Sequence, residues 1–122
     1  MKDKKLIGID IVVISRIEKM IERFGNKALK KFLDEDEILL VKKPSTAAGF
    51  WAAKEAASKS IGTGIGSICS FHDIKITKSN KNAPLLKYRK KIRKKFKIKS
   101  TSLSITHDGG FAIAVVANEV KK

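Results

Sequence analysis

Leu6-Ile7-Gly8-Ile9-Asp10-Ile11-Val12-Val13-Ile14 is a short apolar run, rich in β-branched residues. Length and composition predict a buried β-strand. The run is too short to span a membrane, carries an acid and lacks a small-residue cleavage site, so neither a span nor a signal peptide is expected. Ser15-Arg16-Ile17-Glu18 follows it and has the form of a capping box, in which serine and glutamate each satisfy a free amide. A helix is therefore expected from about Arg16 to Phe24, with Gly25 as its stop. Ile14, Ile17, Ile21 and Phe24 fall on one face of it. Arg16, Met20, Arg23 and Lys27 form a basic stripe on another, with an exposed methionine offering an apolar contact among cations.

Beyond this unit, Ala28 to Leu33 predicts a short helix. Asp34-Glu35-Asp36-Glu37 opens another, because acids favour the positive end of a helix dipole. Pro44 ends it, and Ser45 is expected to cap an alanine-rich helix running to about Ser60. Gly62-Thr63-Gly64-Ile65-Gly66 breaks that helix. It lacks the Gly-Lys-Ser/Thr of a Walker loop, and no strand precedes it as a dinucleotide fingerprint requires. Phe71 to Thr77 alternates as a strand, and 78–84 is a polar turn region. Leu85 to Lys99 is strongly basic, and Tyr88, Ile92 and Phe96 recur every four residues, which predicts a short helix. Leu103 to Thr106 and Phe111 to Ala117 are strands joined by His107-Asp108-Gly109-Gly110. Strand, then helices, then strands predicts an α+β fold, an antiparallel sheet packed with helices, as one domain over 1–122.

Lysine and arginine number 27 against 12 acids, a net charge of +15. Such a field draws in polyanions: nucleic acid, an anionic membrane, a phosphate-rich cofactor or an acidic protein. A nucleic-acid module accounts for the charge and for 87–99. It leaves the acids and glycines below unexplained, and no RNA-binding motif is present. Cys69 is the one cysteine, so no intrachain disulfide forms, which suits a reducing cytoplasm.

Some residues carry chemistry beyond their neighbours. Asp10 interrupts an apolar strand, and a buried carboxylate needs a partner, a proton or a metal. Glu55 and Lys59 stand four apart, the spacing of an ordinary surface ion pair. Small alanines around Glu55 let another element come close. Were Asp10 to meet Glu55, the two carboxylates would repel unless a hard cation such as Mg2+ sat between them, beside substrate phosphates. His107, at a strand end before two glycines, is either structural or a donor to a phosphate. His72 has no partner motif, and Cys69 has no metal-ligand companions.

Three segments together resemble a known family. Ile7-Gly8-Ile9-Asp10-Ile11 with Arg16-Ile17 is similar to the N-terminal motif of bacterial holo-acyl-carrier-protein synthases. Trp51-Ala52-Ala53-Lys54-Glu55-Ala56-Ala57-Ser58-Lys59 with Gly62-Thr63-Gly64-Ile65-Gly66 resembles their central signature, and Ser104-Ile105-Thr106-His107 their C-terminal one. The resemblance covers nearly the whole chain. It implies transfer of 4′-phosphopantetheine from coenzyme A to a serine of an acidic acyl carrier protein, with Mg2+, in the cytoplasm, and without nucleic acid or membrane as partner. It also implies a homotrimer with active sites between subunits. It makes Asp10 and Glu55 the metal ligands and places Lys59 with them in catalysis. Lys54, Ser58, Gly62, Gly64 and His107 are expected at coenzyme A, and Arg16, Met20 and Arg23 at the carrier. The general base is Glu55 or a metal-held water. The chain departs from the family's usual Arg-Phe after the glycine with Phe50-Trp51, and from Gly-Lys-Pro with Asn82-Ala83-Pro84.

Overall fold

The computed structural model describes residues 4–121. Five helices and five strands follow in order: β1 (Lys4–Val13), α1 (Ile14–Phe24), α2 (Asn26–Lys30), α3 (Glu35–Ile38), α4 (Pro44–Ser60), β2 (Ile74–Lys78), β3 (Pro84–Tyr88), α5 (Lys90–Phe96), β4 (Ile98–Asp108) and β5 (Phe111–Val120). A 3-10 turn at Phe71–Asp73 leads into β2. β1, β5 and β4 form one antiparallel sheet in that spatial order, and β2 pairs with β3 in a second. The expected α+β class with antiparallel sheets holds. Gly109 and Gly110, both at positive φ, make the tight turn between β4 and β5.

α4 is the centre of the molecule. Most of its residues are buried, as expected of a helix without a polar face. It lies on the sheet through Ala52, Ala53, Ala56 and Ala57, all fully buried, opposite Ala112, Ala114 and Val116 of β5. Gly8 makes the approach possible. A β-carbon there would collide with the Ala56 carbonyl and lie 2.7 Å from the Ser60 amide nitrogen. Phe32, Trp51 and Phe71 close the core at one side: Phe32 meets the other two rings edge-on at 4.9 and 6.0 Å, and Trp51 and Phe71 are tilted at 4.8 Å.

Several expectations change. The strand at Leu6 to Ile14 is buried on one face only. Gly8 and Val12 face α4, whereas Ile7 is 67%, Ile9 58% and Ile11 57% exposed. The capping box at Ser15 is absent. β1 runs straight into α1, which begins at Ile14. The Ile14 amide is already satisfied by the Gly110 carbonyl at 2.9 Å, so no serine cap is needed. Ser45 does not cap α4 either, because Pro44 takes the first helical position, where its missing N–H costs nothing. The stretch from Leu85 to Lys99 is strand then helix. Its four-residue apolar spacing fits α5, but Tyr88 belongs to β3.

Candidate active site

β1 and α4 each supply part of a charged cluster. Asp10 sits on the α4-facing side of β1, in register with Ala114. Its side chain is 13% exposed. α4 presents Trp51, Glu55 and Lys59 at four-residue intervals on one face. Lys59 does not pair with Glu55 as its spacing suggested. Its ammonium donates to Asp10 Oδ1 at 2.7 Å, answering the carboxylate set within the apolar strand. That bond holds the Lys59 proton more tightly than usual. Glu55 moves the other way: partial burial, then the Asp10 charge, raise its affinity for a proton, although Lys59 and Arg16 oppose this. Lys59 thus bonds Asp10 near enough to Glu55 for the two carboxylates to feel each other.

Arg16 belongs to the same neighbourhood. Its guanidinium lies 5.9 Å from the centre of the Trp51 ring, one helical turn before Glu55. The start of α1, the segment expected to meet the carrier, therefore borders the cluster. Arg23 lies further along α1 and packs over Phe24 at 5.2 Å. Met20 is not the exposed residue expected; it is half-buried against the core.

Two expected coenzyme A ligands point elsewhere. Lys54 is one residue from Glu55, about 100° round the helix, and is fully buried. Its three protons go to the Phe32 carbonyl at 2.7 Å, Glu37 Oε1 at 2.9 Å and the Phe71 carbonyl at 3.1 Å. Glu37 in turn accepts the Asp34 and Ile76 amides, both at 2.8 Å. This is a fully satisfied internal ion pair that ties α4 to α3 and β2. No proton of Lys54 remains for a ligand. Ser58, four residues on, is buried too and donates to the Glu55 carbonyl at 2.7 Å. The alanines beside Lys54 carried the signal of burial, and the lysine's charge obscured it.

The glycine loop closes the C-terminus of α4. The Thr63 and Gly64 amides both reach the Ser58 carbonyl at 3.2 Å. Gly62 and Gly64 have positive φ, and no atom lies within 4 Å of where their β-carbons would stand. Their outer side is therefore open. His107 is exposed at the end of β4, with Nε2 2.8 Å from the Ser45 carbonyl. It lines a cavity of about 170 Å3 with Thr46, Gly49, Phe50, Lys78, Pro84 and Ile105. Within one chain it does not join the cluster. It packs beside Gly49 near the start of α4, whereas Asp10 meets the helix near its end.

No set of three or more His, Cys, Asp or Glu side chains suited to a metal occurs among the described residues. Asp10 and Glu55 alone offer hard oxygen donors that repel each other. That fits Mg2+, which takes one or two carboxylates and completes its shell with water and phosphate.

Residues 6–116 match the model of the 4′-phosphopantetheinyl transferase superfamily. The holo-[acyl-carrier-protein] synthase of Aliarcobacter butzleri is 68% identical over 117 residues, covering 96% of this chain and 99% of that protein. That of Sulfurimonas denitrificans is 60% identical, covering 93% and 94%. Among solved structures, Helicobacter pylori holo-[acyl-carrier-protein] synthase in complex with coenzyme A superposes with a TM-score of 0.89 at 55% identity, covering 93% of this chain and 99% of that one. The Bacillus anthracis synthase, also with bound nucleotide, gives 0.79 at 36% identity, covering 95% and 96%. The chain belongs to the 4′-phosphopantetheinyl transferase superfamily, among its holo-acyl-carrier-protein synthases.

Proposed function

We propose that this synthase moves 4′-phosphopantetheine from coenzyme A to a serine of an apo acyl carrier protein, releasing adenosine 3′,5′-bisphosphate, at the Asp10–Glu55–Lys59 cluster. The observation that carries the reading is the contact of Lys59 with Asp10 beside a Glu55 of raised proton affinity. Attack on a pyrophosphate puts charge on oxygens, so the site must chiefly position and neutralise. Lys59 remains an ammonium and half of it is exposed, which suits it to neutralise the departing phosphate. The attacking hydroxyl loses a proton, which Glu55 or a water held by the metal would accept. Asp10 and Glu55 would hold Mg2+, which supplies positive charge at the pyrophosphate.

The sheet face turned away from α4 supports the homotrimer that the family resemblance implies. Ile7, Ile9, Ile11, Val13, Phe111 and Val115 all lie on it, each at least 38% exposed. An apolar area of this kind marks an interface. Assembly also answers the separation of His107: it would serve the cluster of a neighbouring subunit, with the cavity beside it and Lys78 taking the nucleotide end of coenzyme A. Arg16 and Arg23 would orient the acidic carrier beside the cluster. Lys54 and Ser58 take no part in binding.

No helix among the described residues is long and apolar enough to cross a membrane. Cys69 is a buried free thiol whose pKa burial pushes up to about 11. An inert thiol of this kind suits a reducing cytoplasm, where a role in fatty acid biosynthesis would lie. The nucleic-acid reading gains no support from any of the relatives described.

The test is to incubate the protein with apo carrier, coenzyme A and Mg2+, weigh the carrier, and assay adenosine 3′,5′-bisphosphate. A carrier heavier by one phosphopantetheine, with equimolar nucleotide, is expected. An unchanged carrier mass would refute the function.

A further inference from the structure

The outer side of the β2–β3 hairpin borders a cavity whose wall includes none of Asp10, Glu55 and Lys59. A cavity of about 520 Å3 lies between this hairpin, α5 and the start of β4. Its size is in the range of small-molecule sites, roughly 300–1,000 Å3. Lys75, Leu85, Lys87, Arg93, Ile98 and Thr101 contribute to its wall. It is at the opposite end of β4 from His107, and its hairpin belongs to the sheet that does not carry Asp10.

Charge in this cavity is only partly answered. The strand register sets Lys75 directly against Lys87. Like charges so placed repel. Lys75 is neutralised by Asp34 and Asp36, at 2.9 and 2.8 Å. Lys87 has no such partner among the described residues. Asp73, the acid of the wall, is already engaged: it faces Arg89 at 3.7 Å and Lys91 at 3.5 Å, and accepts the Ser70 amide and hydroxyl. Arg93 stands out further, because its Nε is buried and has no hydrogen-bond partner. Buried donors of a charged group are rarely left so. Leu85, half exposed, and the partly buried Ile98 give the same cavity an apolar side.

We propose that this cavity binds a small amphipathic phosphate monoester, apart from the Asp10–Glu55–Lys59 cluster. A phosphate dianion matches the two uncompensated cations, Lys87 and Arg93, and gives the Arg93 Nε its missing acceptor. The aliphatic body lies along Leu85 and Ile98. The inference does not depend on the transferase reading.

Octyl phosphate is the probe, titrated calorimetrically into the intact assembly with and without saturating coenzyme A. One saturable site per chain is expected, undisturbed by coenzyme A. Inorganic phosphate is expected to bind at least about tenfold more weakly. Arg93→Met, which keeps the length of the side chain, and Lys87→Met, at an exposed position that does not support the fold, should each weaken octyl phosphate about tenfold. Absence of saturable binding, displacement by coenzyme A, equal affinity for inorganic phosphate, or unchanged affinity in Lys87→Met would each overturn the proposal.

Discussion

Single residues decide the chemistry, and the sequence exposed them unevenly. Asp10 was legible because a carboxylate inside an apolar strand demands compensation, and Lys59 supplies it at 2.7 Å. Glu55 and Lys59 were legible as neighbours on one helix face, but only the fold could show that Lys59 turns to Asp10. Lys54 reads as a ligand from the motif, because it stands beside Glu55, but its ammonium is fully occupied inside the chain. Substitution separates the two roles. Lys54→Met leaves Glu37 charged and unpaired in the interior, and should cost about 3–5 kcal/mol of stability, read as a lower denaturation midpoint. The KM for coenzyme A of the folded fraction should stay at the wild-type value; a large rise would restore Lys54 to the binding site. Lys59→Met, by contrast, should lower kcat by about a hundredfold or more with the fold kept, and circular dichroism alongside turnover distinguishes the cases.

Elements set how close these residues come. β1 and α4 approach because Gly8 faces helix backbone and four alanines line the helix. The alanines were visible in the sequence, and so was the expectation that something packs closely there. That Gly8 was the contact was not visible, because a glycine in a strand reads equally well as a bulge. Gly8→Ala should push β1 from α4 and widen the Asp10–Lys59 contact. Turnover and melting temperature are both expected to fall, and a variant matching wild type in both would show that the approach is not tight. The missed cap at Ser15 has a related cause. A serine cap matters where a helix begins in solvent, whereas α1 continues a paired strand whose neighbouring hairpin already feeds its first amide. α1 matters through Arg16, which borders the cluster beside Trp51. Arg16→Glu should raise the apparent KM for the carrier more than that for coenzyme A, and equal effects on both would remove α1 as the carrier's contact.

At the scale of the molecule, the order of elements gave the α+β class, but the strand reading failed in an informative way. A buried strand was expected, and one face of β1 lies bare in the single chain. An apolar pattern on both faces agrees with the proposed trimer, in which α4 would cover one face of β1 and neighbouring copies the other. The proposed trimer predicts that Ile9→Glu lowers the mass seen by light scattering, with activity lost along with it. A monomer of full activity would contradict sites shared between subunits. Acid stability is also a property of the whole. Burial raises the pKa of Asp34 but bonds from Lys75 and His72 outweigh it, and Lys75 pulls Asp36 down as well, so both titrate below their ordinary 3.8. Their contribution is complete above that value and is lost as pH falls through the lower folded values. Lys75→Met should therefore move acid unfolding to higher pH, while leaving stability at neutral pH less affected than Lys54→Met does.

The most direct measurement is turnover as a function of Mg2+ concentration in the wild type, Asp10→Asn and Glu55→Gln, with each variant shown to be folded. Chelation should silence the wild type and added Mg2+ restore it, while both variants should be slower by about a hundredfold or more and require more Mg2+ for half-maximal rate. Turnover indifferent to chelation, or either variant matching the wild type in rate and Mg2+ requirement, would contradict a metal shared by these two carboxylates.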